Sequence, residues 1–326
     1  MNKKLNLNLN IFYKASLVTL ILLYVLVLLG GFVRITESGD DCPDWPKCYG
    51  SWIPPFTIDD IPEEFNPTQD KVYGSWIEYF NRLVGIVLGI SMLYTFFRSF
   101  YVFKRDKILF YGSLISLCLV IISGWIGGQI ATSIDGQNII YQHSVSIHLY
   151  IAFLTIISLV YTTNRGFIVM FPNLEEKSNY SSYASILLFL IFILNILLVF
   201  SGSFIRTFLD DSLLIQFPYF IRMEKYINET GLVKFIHPIL GFSMFACSSI
   251  LWNHIMNFSK SSSTVKLATK FILYSICAQI LIGEGLRFNI IHESFRLYHL
   301  WLSSVILGII VFIFQRIKSS ISYISK

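Results

Sequence analysis

Residues 15–33 read ASLVTLILLYVLVLLGGFV, a stretch without one charged side chain. A helix that crosses the hydrocarbon core of a bilayer needs about 20 mostly apolar residues, because each residue adds only ~1.5 Å of length. This stretch meets that requirement and is apolar on every face, as a helix surrounded by lipid and by other helices must be. Seven more blocks of the same kind follow, and the eight spans are expected to begin near Ala15, Trp76, Lys107, Ile139, Ser181, Leu232, Val265 and Arg296. The predicted fold class is an all-α integral membrane protein with eight transmembrane helices.

The rest of the composition agrees. Of 326 residues, 54% are hydrophobic and 14% are charged, whereas soluble domains carry about 25% charged residues. Mean hydropathy is +0.62. These values exclude a globular soluble enzyme and a disordered chain. The net charge of +5 does not point to nucleic acid, because the basic residues are spread over short connections. They read instead as a topology signal. Lys3, Lys4 and Lys14 precede the first span, Arg98, Lys104, Arg105 and Lys107 follow the second, Lys260, Lys266 and Lys270 follow the sixth, and Arg316, Lys318 and Lys326 follow the eighth. The first long connection carries Glu37, Asp40, Asp41, Asp44, Asp59, Asp60, Glu63, Glu64 and Asp70. The positive-inside rule then puts both termini in the cytoplasm and the acidic connection outside. Gly30-Gly31-Phe32-Val33-Arg34 is no small-x-small cleavage site, so the first span is expected to remain as an anchor.

The two halves echo each other. Gly30-Gly31-Phe32-Val33-Arg34 matches Gly202-Ser203-Phe204-Ile205-Arg206, and Asp40-Asp41 matches Asp210-Asp211. Asn81 precedes Gly85 as His237 precedes Gly241, Gly127-Gly128 corresponds to Gly283-Glu284-Gly285, and His148-Leu149 corresponds to His299-Leu300. Each match is weak, but their common order reads as a parallel repeat of two pseudo-symmetric four-helix bundles. The expected halves are residues 1–170 and 171–326.

Of six histidines, His148, His237 and His299 fall near the start of even-numbered spans and so at a similar membrane depth. A lone membrane histidine can serve only as a hydrogen-bonding partner. Three at repeat-equivalent positions suggest a shared task, since intramembrane ionisable groups are costly and usually functional. Two imidazoles facing each other across a bundle can ligate haem iron. His237 and His299 form such a pair in the C-terminal half. The equivalent N-terminal pair is Asn81 and His148, and Asn is a poor iron ligand, so that half would hold a haem by one axial bond. Zinc suits the pattern less well, for want of an acidic or Cys partner at ligand spacing. His143, His254 and His292 are expected at interfaces or in loops. Cys118, Cys247 and Cys277, inside apolar blocks, are expected to be buried, inert thiols.

Glu78 lies one turn before Asn81 on the same helical face, and Arg82 follows. Glu78 either caps the start of the helix or exchanges protons beside the open haem face. Its repeat equivalent is Lys234, which makes the N-terminal half the expected catalytic one. The segment Cys42-Pro43-Asp44-Trp45-Pro46-Lys47-Cys48 lies in the acidic connection. On the outer side of a membrane this pair can be a structural staple or a redox-active dithiol. Trp52-Ile53-Pro54-Pro55 nearby is expected at the membrane surface.

At these residues the chain resembles the haem A synthase family. Gly30-Gly31-Phe32-Val33-Arg34-Ile35-Thr36-Glu37-Ser38-Gly39, followed by the Cys42–Cys48 segment, is similar to the family's first-loop signature. Glu78-Tyr79-Phe80-Asn81-Arg82 is similar to its Glu-x-x-His-Arg motif, and Ile147-His148-Leu149, Phe235-Ile236-His237 and His299 match the later histidine motifs. The resemblance spans essentially the whole chain. It implies an oxidoreductase of a bacterial plasma membrane that converts the C8 methyl of haem O to a formyl group, giving haem A for cytochrome oxidase. It implies a haem b cofactor held by His237 and His299, haem O as substrate near Glu78, Arg82, Asn81 and His148, and a disulfide between Cys42 and Cys48. A haem O synthase, a membrane electron donor and a second copy of the chain are the partners to look for. Three departures stand out: Asn81 replaces a histidine, Pro238 replaces the Arg expected after His237, and Asp210 to Glu229 lacks a second cysteine pair. Asn81 keeps a second reading open, a membrane haem carrier or cytochrome b that performs no conversion. A thiol–disulfide electron carrier using Cys42 and Cys48 is a third.

Overall fold

The computed structural model describes residues 3–132, 139–171, 180–209, 231–257, 261–288 and 290–324. The Asp210-Asp211 part of the repeat and the segment to Glu229 lie outside them. Among the described residues there is no strand, and eight long helices carry the fold: α1 (Lys3–Ile35), α2 (Gln69–Phe100), α3 (Lys107–Ala131), α4 (Ile139–Met170), α5 (Ser182–Leu209), α6 (Val233–Asn257), α7 (Ser263–Arg287) and α8 (Phe295–Ile324). All eight are long and apolar enough to cross a membrane.

Two helices start well before the apolar blocks. α1 begins at Lys3 because its polar lead-in still buries one side: Leu9 and Phe12 pack on Val102 and Leu109 at the α2–α3 turn. Arg98 Nη2 also donates to Asn8 Oδ1 at 3.0 Å. α2 begins at Gln69, where the Thr68 hydroxyl accepts from the Lys71 amide at 3.3 Å and caps the first turn. These extra turns of α2 become the platform for the acidic connection. Likewise α3 starts at the cap Asp106, whose carboxylate accepts from the Ile108 amide at 2.9 Å and pairs with Arg165 of α4 at 2.7 Å.

The contacts gather the chain into two units, Met1–Glu175 with His292–Gly308, and Glu176–Ile291 with Ile309–Lys326. In the first, α1 packs on α2 and α4, and α3 packs on the same two helices. α2 and α4 therefore face each other across the diagonal. Chain order assigns all of α8 to the second half, but its first part joins the first unit. A Cβ on Gly31 would meet the Leu297 side chain at 2.6 Å, and Trp301 Nε1 donates to the Tyr24 carbonyl at 3.0 Å. Small residues let these helices approach closely, as membrane helices do in the absence of a hydrophobic driving force. In the second unit α6 packs on both α5 and α7.

Polar side chains point inward and apolar ones also outward. Thr19 of α1 meets Ser91 and Thr95 of α2 at 2.8 and 2.9 Å, and Ser116 of α3 donates to Ser158 of α4 at 2.8 Å. Ile21, Ile86, Val87, Ile90 and Phe97 are exposed along the spans, which is the arrangement a lipid solvent permits. Cys118, expected to be buried, is exposed on α3, and Cys247 and Cys277 are half-buried. Apolar sequence in a membrane span does not distinguish a protein-facing position from a lipid-facing one.

Candidate functional site: a clamped disulfide loop beside a histidine

The first turns of α2 hold the connection between α1 and α2 in place. Cys42 and Cys48 form a disulfide, six positions apart, and both are fully buried. The Cys48 amide donates to the Ser51 carbonyl at 2.9 Å, and the Ser51 amide donates back at 3.1 Å, closing the loop behind the bridge. On the helix side Ser75 Oγ donates to the Asp41 carbonyl at 2.9 Å. Farther along the connection, Trp76 Nε1 donates to Pro55 O at 2.9 Å and the Tyr79 hydroxyl to Trp52 O at 2.6 Å. Trp52, Ile53 and Phe56 remain exposed.

Glu78 and Arg82 lie at the centre of this platform, one helical turn apart. The Cys42 amide donates to Glu78 Oε2 at 2.8 Å. Arg82 donates to Glu78 Oε1 through Nε at 3.1 Å and Nη2 at 2.5 Å. The same guanidinium donates through Nη1 to Asp44 O and Lys47 O, both at 2.8 Å, and through Nη2 to Cys42 O at 2.9 Å. The two side chains are 5% and 10% exposed, so the pair is buried. A planar fork with donors on three nitrogens is what allows one side chain to reach three carbonyls and a carboxylate. The helix-cap alternative for Glu78 is overturned, because α2 begins at Gln69 under the Thr68 cap; both Glu78 oxygens grip the loop or the group that grips the loop.

Asp41 sits against the same helix. A Cβ on Gly74 would fall on its carboxylate, so glycine there is required by close approach. Burial, and then the negative charge of Asp40, push the Asp41 carboxyl up to about 6. Asp60, farther along the connection, is held below the usual carboxylate range by the amides of Phe56 and Thr57 and the Thr57 hydroxyl.

His148 on α4 is tied to α3. Its Nδ1 lies 3.4 Å from Ser123 Oγ, and a Cβ on Gly127 would come 3.4 Å from its Cε1. The next residue, Gly128, faces the disulfide loop: a Cβ there would lie in ordinary contact with the Trp45 ring at 3.4 Å. The Gly127-Gly128 step therefore carries the histidine on one residue and the loop tryptophan on the next. The sequence reading used these glycines only as a match between the two halves and passed over Ser123. The four-residue spacing of Ser123 and Gly127, which stacks them on one face, was the available signal.

His237 on α6 has a similar seat in the second unit. Ser201 Oγ lies 2.8 Å from its Nδ1, and a Cβ on Gly202 would come 3.1 Å from its Cε1. Lys234, which the sequence comparison of the halves pairs with Glu78, is buried with its ammonium 4.7 Å from the Phe235 ring centre. His299 lies on the part of α8 that belongs to the first unit. His254 contacts Ser181 Oγ at 2.8 Å, His292 contacts Ser294 Oγ at 3.0 Å, and His143 is exposed. Asn81 on α2 is half-buried, and its Oδ1 is buried without a hydrogen-bond partner.

The donor set can be tested against haem. Among the described residues no group of three or more His, Cys, Asp or Glu side chains could enclose a bare metal ion. Single imidazoles whose Nδ1 meets a serine and whose Cε1 lies against a glycine suit axial ligation through Nε2, because the macrocycle supplies the other four donors. His148 and His237 both meet that description.

These features define a polytopic helical membrane protein with an inward-facing histidine beside a docked disulfide loop. The pattern of the family described as COX15-CtaA, cytochrome oxidase assembly protein, matches residues 13–311, and the chain belongs to that family. It is similar to the haem A synthase of Agrobacterium fabrum, 24% identical over 326 residues, which covers 89% of this chain and 86% of that one. It is similar to the haem A synthase of Exiguobacterium sibiricum at 23% identity, covering 95% of each chain. The match to the haem A synthase of Orientia tsutsugamushi (strain Ikeda) is 30% identical and covers 36% of each chain.

Proposed function

We propose that this protein is a haem A synthase: an oxidoreductase that converts the C8 methyl of haem O to a formyl group and supplies haem A to cytochrome oxidase. Family membership and the relatives' names support the reaction class. The observation that carries the assignment of the substrate half is the Gly127-Gly128 step, which brings His148 and the loop residue Trp45 onto adjacent residues of α3. In this reading His148 takes the iron of haem O through Nε2, with Ser123 at Nδ1 setting the ring's orientation. Arg82 fixes the Glu78 carboxylate, and Glu78 exchanges the proton that oxidation of the methyl carbon releases. The Cys42–Cys48 loop excludes water from that edge. His237 is the second unit's ligand for haem b, which when bound supplies one-electron transfer. The acidic connection lies on the outer side of a bacterial plasma membrane and both termini lie in the cytoplasm, as the lysines and arginines of the other connections favour.

The test is to co-express the chain with a haem O source in cells that make no haem A of their own, then extract and chromatograph the haems. A haem A peak is expected. Haem b and haem O without haem A, from well-expressed protein, would overturn the enzyme reading in favour of a haem carrier.

A further inference from the structure

We propose that Ser201 is a positioning residue for the haem of the second unit: it accepts a hydrogen bond from His237 Nδ1–H, and so fixes the tautomer of the imidazole and lowers the reduction potential of the iron bound to it. The inference rests on the reading of His237 as a haem b ligand and deepens it. Ser201 Oγ lies 2.8 Å from His237 Nδ1. A serine hydroxyl carries one hydrogen and two lone pairs. Here the hydrogen is directed at the Leu198 carbonyl of the same helix, 3.2 Å away, as serines in membrane helices commonly arrange it. What the hydroxyl then offers the ring is a lone pair, so Nδ1 is the donor. A neutral imidazole protonated on Nδ1 carries its lone pair on Nε2, the atom that ligation needs.

Gly202 completes the seat. A Cβ there would come within 3.1 Å of Cε1, 3.8 Å of Nδ1 and 3.9 Å of Nε2, so the ring edge between the two nitrogens faces bare backbone. Ser201 and Gly202 are consecutive on α5, and the same helical turn sets both the ring's position and its proton. The corresponding hold in the first unit is looser: Ser123 Oγ lies 3.4 Å from His148 Nδ1, beyond the usual N–H···O range. A hydrogen bond from Nδ1–H moves electron density into the ring and makes Nε2 a stronger donor. A stronger donor favours ferric over ferrous iron, and hydrogen bonding to the axial ligand is one of the means by which a protein sets a haem potential. The second unit's haem is thereby tuned to give up its electron.

The experiment is a spectroelectrochemical titration of the purified, haem-loaded full chain, with haem retention read by transfer to apomyoglobin. S201A should shift the haem b midpoint to a more positive potential and weaken haem retention by about 10–100-fold. S201T, which keeps the hydroxyl, should restore both. S201C, nearly the same size but a much weaker acceptor, should shift the midpoint in the same direction as S201A and guards against a misfolded alanine variant. An S201A or S201C protein with the natural midpoint overturns this inference alone, as does an S201T protein that behaves like S201A. An H237A protein that keeps the haem b spectrum and midpoint of the natural chain overturns the ligand reading itself, and this inference falls with it.

Discussion

Replacing Arg82 with alanine is the perturbation with the most closely worked consequence. The guanidinium makes two hydrogen bonds to Glu78 and one to each of three loop carbonyls, from a side chain only 10% exposed. Removing it leaves the Glu78 carboxylate, 5% exposed, with only the Cys42 amide among these donors. Breaking one side of a buried ion pair costs about 3–5 kcal/mol, because the remaining charge is desolvated without compensation. At about 1.4 kcal/mol per factor of ten, the loop should be open roughly 10²–10⁴ times more often. Hydrogen exchange reads this directly, since the Cys42 amide is protected by its bond to Glu78. R82A should lose protection across Cys42–Cys48 while amides in α6 keep theirs. E78Q/R82Q should recover part of the loss relative to R82Q, because the stranded charge is gone. If R82A leaves the Cys42 amide as protected as in the natural chain, the clamp carries no energy and the reasoning fails.

Two further outcomes follow from the loop's contact with α2. The Asp41 carboxyl, pushed up from 3.8 to about 6 mainly by burial, binds its proton more tightly in the docked loop than in the undocked one. Its contribution to docking is therefore fully present below the undocked value and is lost as pH rises through about 6. Solvent screening of this half-buried group limits the effect to about 1 kcal/mol, and D41N should flatten the pH dependence of loop-tryptophan fluorescence melting. G74A should displace the loop, since the added carbon falls on the Asp41 carboxylate, with a loss of about 1–3 kcal/mol. G127A meets His148 only at an ordinary contact of 3.4 Å and should leave the haem spectrum unchanged, so equal sensitivity of the two glycines would contradict the packing described.

Much of the candidate site was legible before any coordinates. His148 and His237 stand out as ionisable groups in apolar spans, and Glu78-Tyr79-Phe80-Asn81-Arg82 is recognisable as a motif. What Glu78 and Arg82 bind was not legible, because their partners Cys42, Asp44 and Lys47 lie 35 to 40 positions away for Arg82 and 36 for Glu78. Ser75, Ser123 and Ser201 went unnoticed because a serine in a membrane helix usually satisfies itself on its own backbone, as Ser113 does with Leu109 O at 2.7 Å. Only the neighbouring helix shows which serine is turned toward a histidine.

The sequence by itself determined the eight spans and the all-α class, because transfer of a segment into lipid is close to a sum over its own residues and every backbone group must then be satisfied within the helix. It also singled out the candidate residues for the chemistry, Glu78, Arg82, Asn81, His148, His237 and His299. The tertiary structure decided how far α1 and α2 extend beyond their apolar blocks, which part of α8 joins the first unit, and that Glu78 and Arg82 act together as a clamp on the disulfide loop. Those outcomes depend on helix rotation and on a loop returning to its helix. Such contacts between distant positions are fixed by packing and hydrogen-bond geometry, which no local sum over residues contains.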